Sequence, residues 1–181
     1  MENTLLSMMV VAAVSGIGMI SAANAVDGTI TFTGNITADS CTVAVNGGAS
    51  SATVDLGNVS TSDFTTVGDV STVKDFTLNL TACSAGVTNV SVVFDGQGDT
   101  ADSTTFKNND SGANAANGVG VRLYNNGGGS TAQIAPHGVS AVYVPVGGAV
   151  DIPFSARMAS TADAVKAGTL TATADYTINY Q

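Results

Sequence analysis

Apolar and polar side chains alternate with a period of two through most of this chain. The longest such run is Gly168 to Gln181. Leu170, Ala172, Ala174, Tyr176, Ile178 and Tyr180 are apolar or aromatic, and every odd position from Thr169 to Asn179 is polar. A period of two sends successive side chains to opposite faces, so the run predicts a long strand with one buried face. Shorter runs predict further strands. Ile30, Phe32, Gly34 and Ile36 alternate with threonines and Asn35. Val43 and Val45 follow, then Val54, Leu56 and Val59, with a break at Gly57. Next come Phe76, Leu78 and Leu80; Val90, Val92 and Phe94; and Val119, Val121 and Leu123. Val142, Val144 and Val146 are expected to share one face. So are Ile152, Phe154, Ala156 and Met158, where Pro153 suggests an edge or a bulge.

Gly- and Asn-rich turns such as Asn46-Gly-Gly48 and Asn125-Asn-Gly-Gly-Gly129 separate the runs. Residues 95–118, rich in Asp, Gly, Asn, Ser and Thr, are expected to form a long surface loop with a short helix at Asn114 to Asn117. Ala159 to Lys166 reads as a loop or one helical turn. Many short alternating strands joined by such turns describe an all-β, antiparallel sandwich. No internal repeat or second globular domain is evident.

The front of the chain departs from this pattern. Leu5 to Val14 is almost wholly apolar, and Ala23-Asn24-Ala25 has the small-x-small form of an export cleavage site. Residues 1–25 are therefore expected to be a signal peptide, cleaved before Val26. The apolar run falls short of the roughly 20 residues that a membrane span needs. Met1-Glu2-Asn3 lacks the positive charge usual in such signals, and the first basic residue is Lys74. An upstream start that carries lysines would account for this.

Cleavage leaves 156 of the 181 residues, enough for one domain with its own core. It changes the formal charge from −9 to −8, because Glu2 is the only charge lost and thirteen aspartates then face five lysines and arginines. So acidic a chain, with no basic cluster, is not built for nucleic acid or anionic lipid. Cys41 and Cys83 lie behind the export signal, which suggests one disulfide formed in an oxidising compartment.

Catalytic constellations are not evident. His137 is the only histidine and sits in a Pro-His-Gly loop context, which speaks for a surface role over a catalytic base. Asp95-Gly-Gln-Gly-Asp99 hints at a calcium loop, but the EF-hand position for a bidentate Glu is Phe106. Neither Gly118-Val-Gly120 nor the glycine run at 127–129 is a phosphate loop. No enzyme activity, cofactor or metal is expected.

The residues Gly28-Thr-Ile-Thr-Phe-Thr-Gly34 stand ahead of Asp39-Ser-Cys41. Phe76-Thr-Leu-Asn-Leu-Thr-Ala-Cys83, Val119-Gly-Val-Arg-Leu-Tyr124 and Ile152-Pro-Phe-Ser-Ala-Arg157 follow in order. The terminal strand places Gly168 fourteenth from the end and Tyr180 next to last. Together these make the chain, over residues 26–181, resemble the major structural subunits (pilins) of chaperone–usher fimbriae, the type 1 fimbrial protein family.

The resemblance implies an incomplete immunoglobulin-like sandwich that lacks its last strand, completed by a donor strand from another chain. It implies an extension at 26–36 ahead of a pilin domain at 37–181. Ile30, Phe32 and Ile36 would fill a neighbour's groove, with Gly34 where backbones approach closely. Leu170, Ala172, Ala174, Tyr176, Ile178 and Tyr180 would line one groove wall and contact a periplasmic chaperone. Cys41 and Cys83 would form the disulfide. The implied partners are identical or related pilin subunits, the chaperone and an outer-membrane usher. The implied role is a structural subunit of a surface pilus that mediates cell adhesion, reached by export through the periplasm. A minor adaptor or tip subunit of the same pilus is one alternative, and a soluble secreted β-sandwich binding module is another.

Overall fold

A computed structural model describes residues 30–36, 38–126 and 131–181. The chain divides after Ile36 into two units, Met1–Ile36 and Thr37–Gln181. The expected signal peptide and most of the 125–129 turn lie outside the described residues.

In the first unit, residues 30–36 form neither helix nor strand, so this alternating run is not an ordinary first strand of the sandwich. Its side chains Ile30, Phe32 and Ile36 are exposed.

The second unit is all-β. Its strands are β1 (Thr42–Val45), β2 (Lys74–Thr81), β3 (Val90–Asp95), β4 (Val119–Asn125), β5 (Gln133–Ile134), β6 (Gly138–Val139), β7 (Val150–Ser160) and β8 (Asp175–Tyr180). They form two sheets, ordered β1-β2-β7-β4-β5 and β6-β3-β8, in which every strand pair is antiparallel. The facing rows of the two sheets meet as the period-two pattern requires. Phe76, Leu78 and Leu80 of β2, Val121 and Leu123 of β4, and Ile152 and Phe154 of β7 pack with Val90, Val92 and Phe94 of β3. Phe154 sits at the centre, stacked on Phe76 at 5.5 Å and edge-on to Phe94 at 5.0 Å. Cys41 and Cys83 are joined by a disulfide.

Three expectations are corrected. Pro153 lies on β7, a central strand, opposite Thr77 of β2. Thr77 exchanges its hydrogen bonds with Asn46 instead, so the Pro153 register position asks for no donor toward β2. On its other side, β4 has ended at Asn125, and the Asn126 N–H donates to the Pro153 carbonyl. The missing N–H thus falls beyond the β4 ladder.

The run Val54-Asp-Leu56 forms no strand, and its apolar side chains are half-buried. Residues 95–118 form an irregular stretch, exposed at many positions, that holds no helix and is pinned to the core: Thr105, Phe106 and Asn108 are buried, and Phe106 exchanges backbone hydrogen bonds with Val121. Val142, Val144 and Val146 do share one face, and it is the solvent face. Tyr143 packs on the core in their place and exchanges hydrogen bonds with Val90.

The terminal strand is also shorter than its pattern. Only Asp175–Tyr180 forms a ladder, with β3. Residues 169–171 are instead tied to the 108–116 segment: the buried Asn108 donates from Nδ2 to the carbonyls of Thr169 and Ala116, and its Oδ1 accepts from the Thr171 N–H.

Candidate docking groove

A groove of about 1050 Å³ opens between the two sheets along β8. One wall is the C-terminal run, contributed by Leu170, Ala172, Ala174, Tyr176, Ile178 and Tyr180. From 170 to 180 the exposure alternates strictly, with even residues half-buried and odd ones exposed. In a closed sandwich the even row would be buried against the opposite sheet; here it faces open space. The opposite wall is β1 and the irregular segment after it, through Val43, Val45, Val54 and Leu56. The floor is the core itself: Phe76, Leu78, Phe94, Phe106, Val121 and Leu123 all reach the groove. Asp55 and Asp175 are the only charged residues in this lining.

Strand register decides which backbone groups face the groove. Asn89 and Gln181 exchange both of their hydrogen bonds. In an antiparallel pair such bonded pairs alternate with non-bonded ones. The pairs Ser91–Asn179, Val93–Thr177 and Asp95–Asp175 are therefore the bonded ones. Val90, Val92 and Phe94 turn their backbone groups the other way, to Tyr143, Ser140 and His137. It follows that Tyr176, Ile178 and Tyr180 direct their N–H and C=O groups away from β3. β8 ends its sheet on that side, and no described strand pairs with it there. The same three residues thus present apolar side chains and unpaired backbone groups along one edge. Such an edge is a template for a further strand.

One polar contact crosses the groove. The Tyr176 hydroxyl donates to the Ser50 carbonyl. Burial, and then the charge of the neighbouring Tyr180 phenol, raise the Tyr176 pKa above its ordinary value, so the hydroxyl keeps its proton at neutral pH.

The expected site residues thus fall into two places. The six C-terminal positions share one groove wall. Ile30, Phe32, Gly34 and Ile36 lie in the other unit of the chain. A Cβ built on Gly34 would meet nothing within 4 Å, so its own chain does not require a glycine there. Sequence reasoning missed the second wall and the Phe106 floor. The Val54/Leu56 alternation was the available signal for the wall; Phe106, alone in a polar stretch, offered none.

The other candidate groups serve local structure. The His137 ring nitrogen Nδ1 lies 2.9 Å from the Asp95 carboxylate on the surface. An Asp99 carboxylate oxygen accepts from the Ala101 N–H. Asp102 joins Arg122 at 2.8 Å and also accepts from the hydroxyls of Thr104 and Thr105. Among the described residues no cluster of three His, Cys, Asp or Glu side chains is placed to hold a metal ion, and no helix is long and apolar enough to cross a membrane.

Fold and groove together define an immunoglobulin-like β-sandwich with an unfilled strand position beside its last strand. The comparisons agree on its family. The model of the fimbrial protein family matches residues 30–181. The chain is 38 % identical over 170 residues to the major fimbrial subunit SMF-1 of Stenotrophomonas maltophilia, covering 88 % of this chain and 95 % of that one. It is 34 % identical over 177 residues to long polar fimbria protein A of Salmonella typhimurium, covering 95 % and 96 %. Among solved structures, a chaperone–usher pilus matches with a TM-score of 0.62 at 20 % identity, over 85 % of this chain and 95 % of that one. The chain belongs to the fimbrial protein family. It is a fimbrial subunit, exported through the periplasm to surface pili.

Proposed function

We propose that this chain is a non-catalytic structural subunit that polymerises by donor-strand exchange. Residues 26–36 of one copy enter the groove of the next and pair with the free edge of β8. Before assembly a periplasmic chaperone fills the groove with its own strand, and an outer-membrane usher is where one strand replaces the other. Leu170, Ala172, Ala174, Tyr176, Ile178 and Tyr180 contact whichever strand is present. Cell adhesion is then a property of the assembled pilus.

The observation that carries this reading is the groove: apolar walls, a core for its floor, and an edge whose backbone groups are unpaired. Left open, such a surface invites aggregation. The segment at 30–36 has the matching chemistry. No charge lies between Asp27 and Asp39, and Ile30, Phe32 and Ile36 are exposed. Burying each of these side chains contributes roughly 1.5–3 kcal/mol. Gly34, uncrowded in its own chain, supplies the place where a second backbone can approach closely. A head-to-tail contact of this kind does not close, and so builds a filament.

Deleting residues 26–36 tests the reading. The expected result is a folded subunit that still binds the chaperone but no longer self-associates. Persistent self-association by the truncated chain would sink donor-strand exchange as the mechanism.

A further inference from the structure

We propose a second contact between copies: the exposed ridge Val142–Val144–Val146 packs against the body of the copy that takes up this chain's N-terminal extension. The inference rests on the donor-strand reading and adds a surface that this reading does not use.

The ridge is unusual for this chain. Val142, Val144 and Val146 are 57 %, 60 % and 80 % exposed, and Val139 nearby is 55 % exposed. From Gly138 to Val150 there is no charged residue, in a chain whose net charge is −9. An uncharged, β-branched edge of this kind is a liability unless something covers it. It is also presented rigidly. Val146 and Ala149 exchange backbone hydrogen bonds around Gly147 and Gly148, whose φ angles are 63° and 77°. Two positive φ values in a two-residue hairpin loop define a tight turn that matches the strand twist and that only glycine adopts easily. Tyr143 anchors the other end through its bonds to Val90 and its packing on the core.

The position of the ridge identifies its partner. Cys83 donates its backbone N–H to Gly148 in that hairpin at 2.9 Å. Cys83 is also bonded to Cys41, with Cα atoms 4.0 Å apart. Ser40, one residue before Cys41, accepts a hydrogen bond at its carbonyl from the Ser84 N–H. The hairpin therefore stands beside the point where the extension leaves the sandwich. From Ile36, seated in a neighbour's groove, to Cys41 the chain spans at most about 18 Å. The copy that holds the extension is thus tethered next to the ridge. Charge favours the same surface: two acidic copies approach with least repulsion where neither presents a carboxylate.

The test is photo-cross-linking in fibres sheared from cells, with a benzophenone amino acid placed at position 144 and, in separate preparations, at positions 32 and 67. Covalent dimers are read on denaturing gels after boiling. The expected result is dimer from positions 144 and 32, each in several-fold excess over position 67. Dimer from position 32 without excess from position 144 overturns the ridge contact and leaves donor-strand exchange standing. Excess from position 144 with none from position 32 removes the donor-strand reading, and with it the partner that the ridge was assigned, so it overturns the proposal as stated. No excess at either position overturns both.

Discussion

Phe154 has no exposed surface and touches an aromatic ring from each sheet, Phe76 and Phe94. Truncating it leaves a cavity that neither sheet can close without breaking its ladder. Phe154→Ala is expected to destabilise the subunit by about 3–5 kcal/mol, read as a lower denaturant midpoint. Acid acts at different residues. Asp69 accepts from the backbone N–H of Thr66, the side chain and backbone of Thr65, and the hydroxyl of Thr66, which lower its pKa to about 2. Burial pushes the Asp102 carboxyl up, but hydrogen bonds from Thr104, Thr105 and Arg122 outweigh it and hold the group well below the ordinary carboxylate range. A depressed folded pKa stabilises above the unfolded value of 3.8 and is lost as pH falls toward the folded value. The thermal midpoint should therefore fall steeply below about pH 4, with these two groups contributing nothing to its pH dependence near neutrality. In Asp69→Asn that acid fall should be shallower between pH 4 and 2; an unchanged slope would remove Asp69 from the account.

Elements were legible in the sequence where a strand has one buried face and a paired neighbour. β2, β3, β4 and β7 follow their period-two patterns because both sheets supply partners. The pattern misled where pairing, not burial, decides. Val54 and Leu56 alternate like a strand but border the groove without a ladder, and the first half of the terminal run is held by Asn108 instead of a strand. The valines at 142–146 share a face, but it is the solvent face, because Tyr143 between them pairs its backbone with Val90 and packs on the core. Phe106 could not be placed from sequence, since its polar neighbours resemble those of any loop and its burial depends on a backbone pairing with Val121 of β4 that no local pattern announces. In the C-terminal run the strict alternation from Leu170 to Tyr180 made one apolar face legible, but its place beside a groove was only implied by the resemblance to pilins, and the Ser50–Gly57 wall needed the three-dimensional structure. Two predictions belong at this scale. Removing the disulfide by Cys41→Ala with Cys83→Ala frees a loop with a sequence separation of 42. The expected cost is about 4 kcal/mol in the chain-entropy model, read by denaturation of the subunit. In β8, Ile178→Asp places a charge on the open edge without emptying the core, since Ile178 is only half-buried. Folding should survive and polymer formation should be lost.

A fibre made by donor-strand exchange gains its strength from the whole molecule. The inserted strand contributes apolar anchors to the groove and hydrogen bonds to the β8 edge, and neither set can be released one at a time. Withdrawing it exposes the floor formed by Phe76, Leu78, Phe94 and Phe106. Dissociation therefore resembles unfolding of a sandwich more than separation of two folded surfaces, and its rate rises steeply with temperature. Fibres sheared from cells and run unheated on an SDS gel should give a ladder at multiples of the mature mass, and boiling should collapse it to one band. Phe32→Ala removes the largest anchor in the extension while leaving the sandwich of its own copy intact. The ladder should then collapse at a lower temperature than for the unaltered chain, with the monomer's own denaturant midpoint unchanged. If Phe32→Ala shifted the monomer midpoint and left the ladder temperature where it was, Phe32 would belong to the core of its own copy, and the extension would not be the strand that links the fibre. If the ladder survived boiling, the links would be covalent, and a groove filled by hydrophobic burial and hydrogen bonds would not explain them.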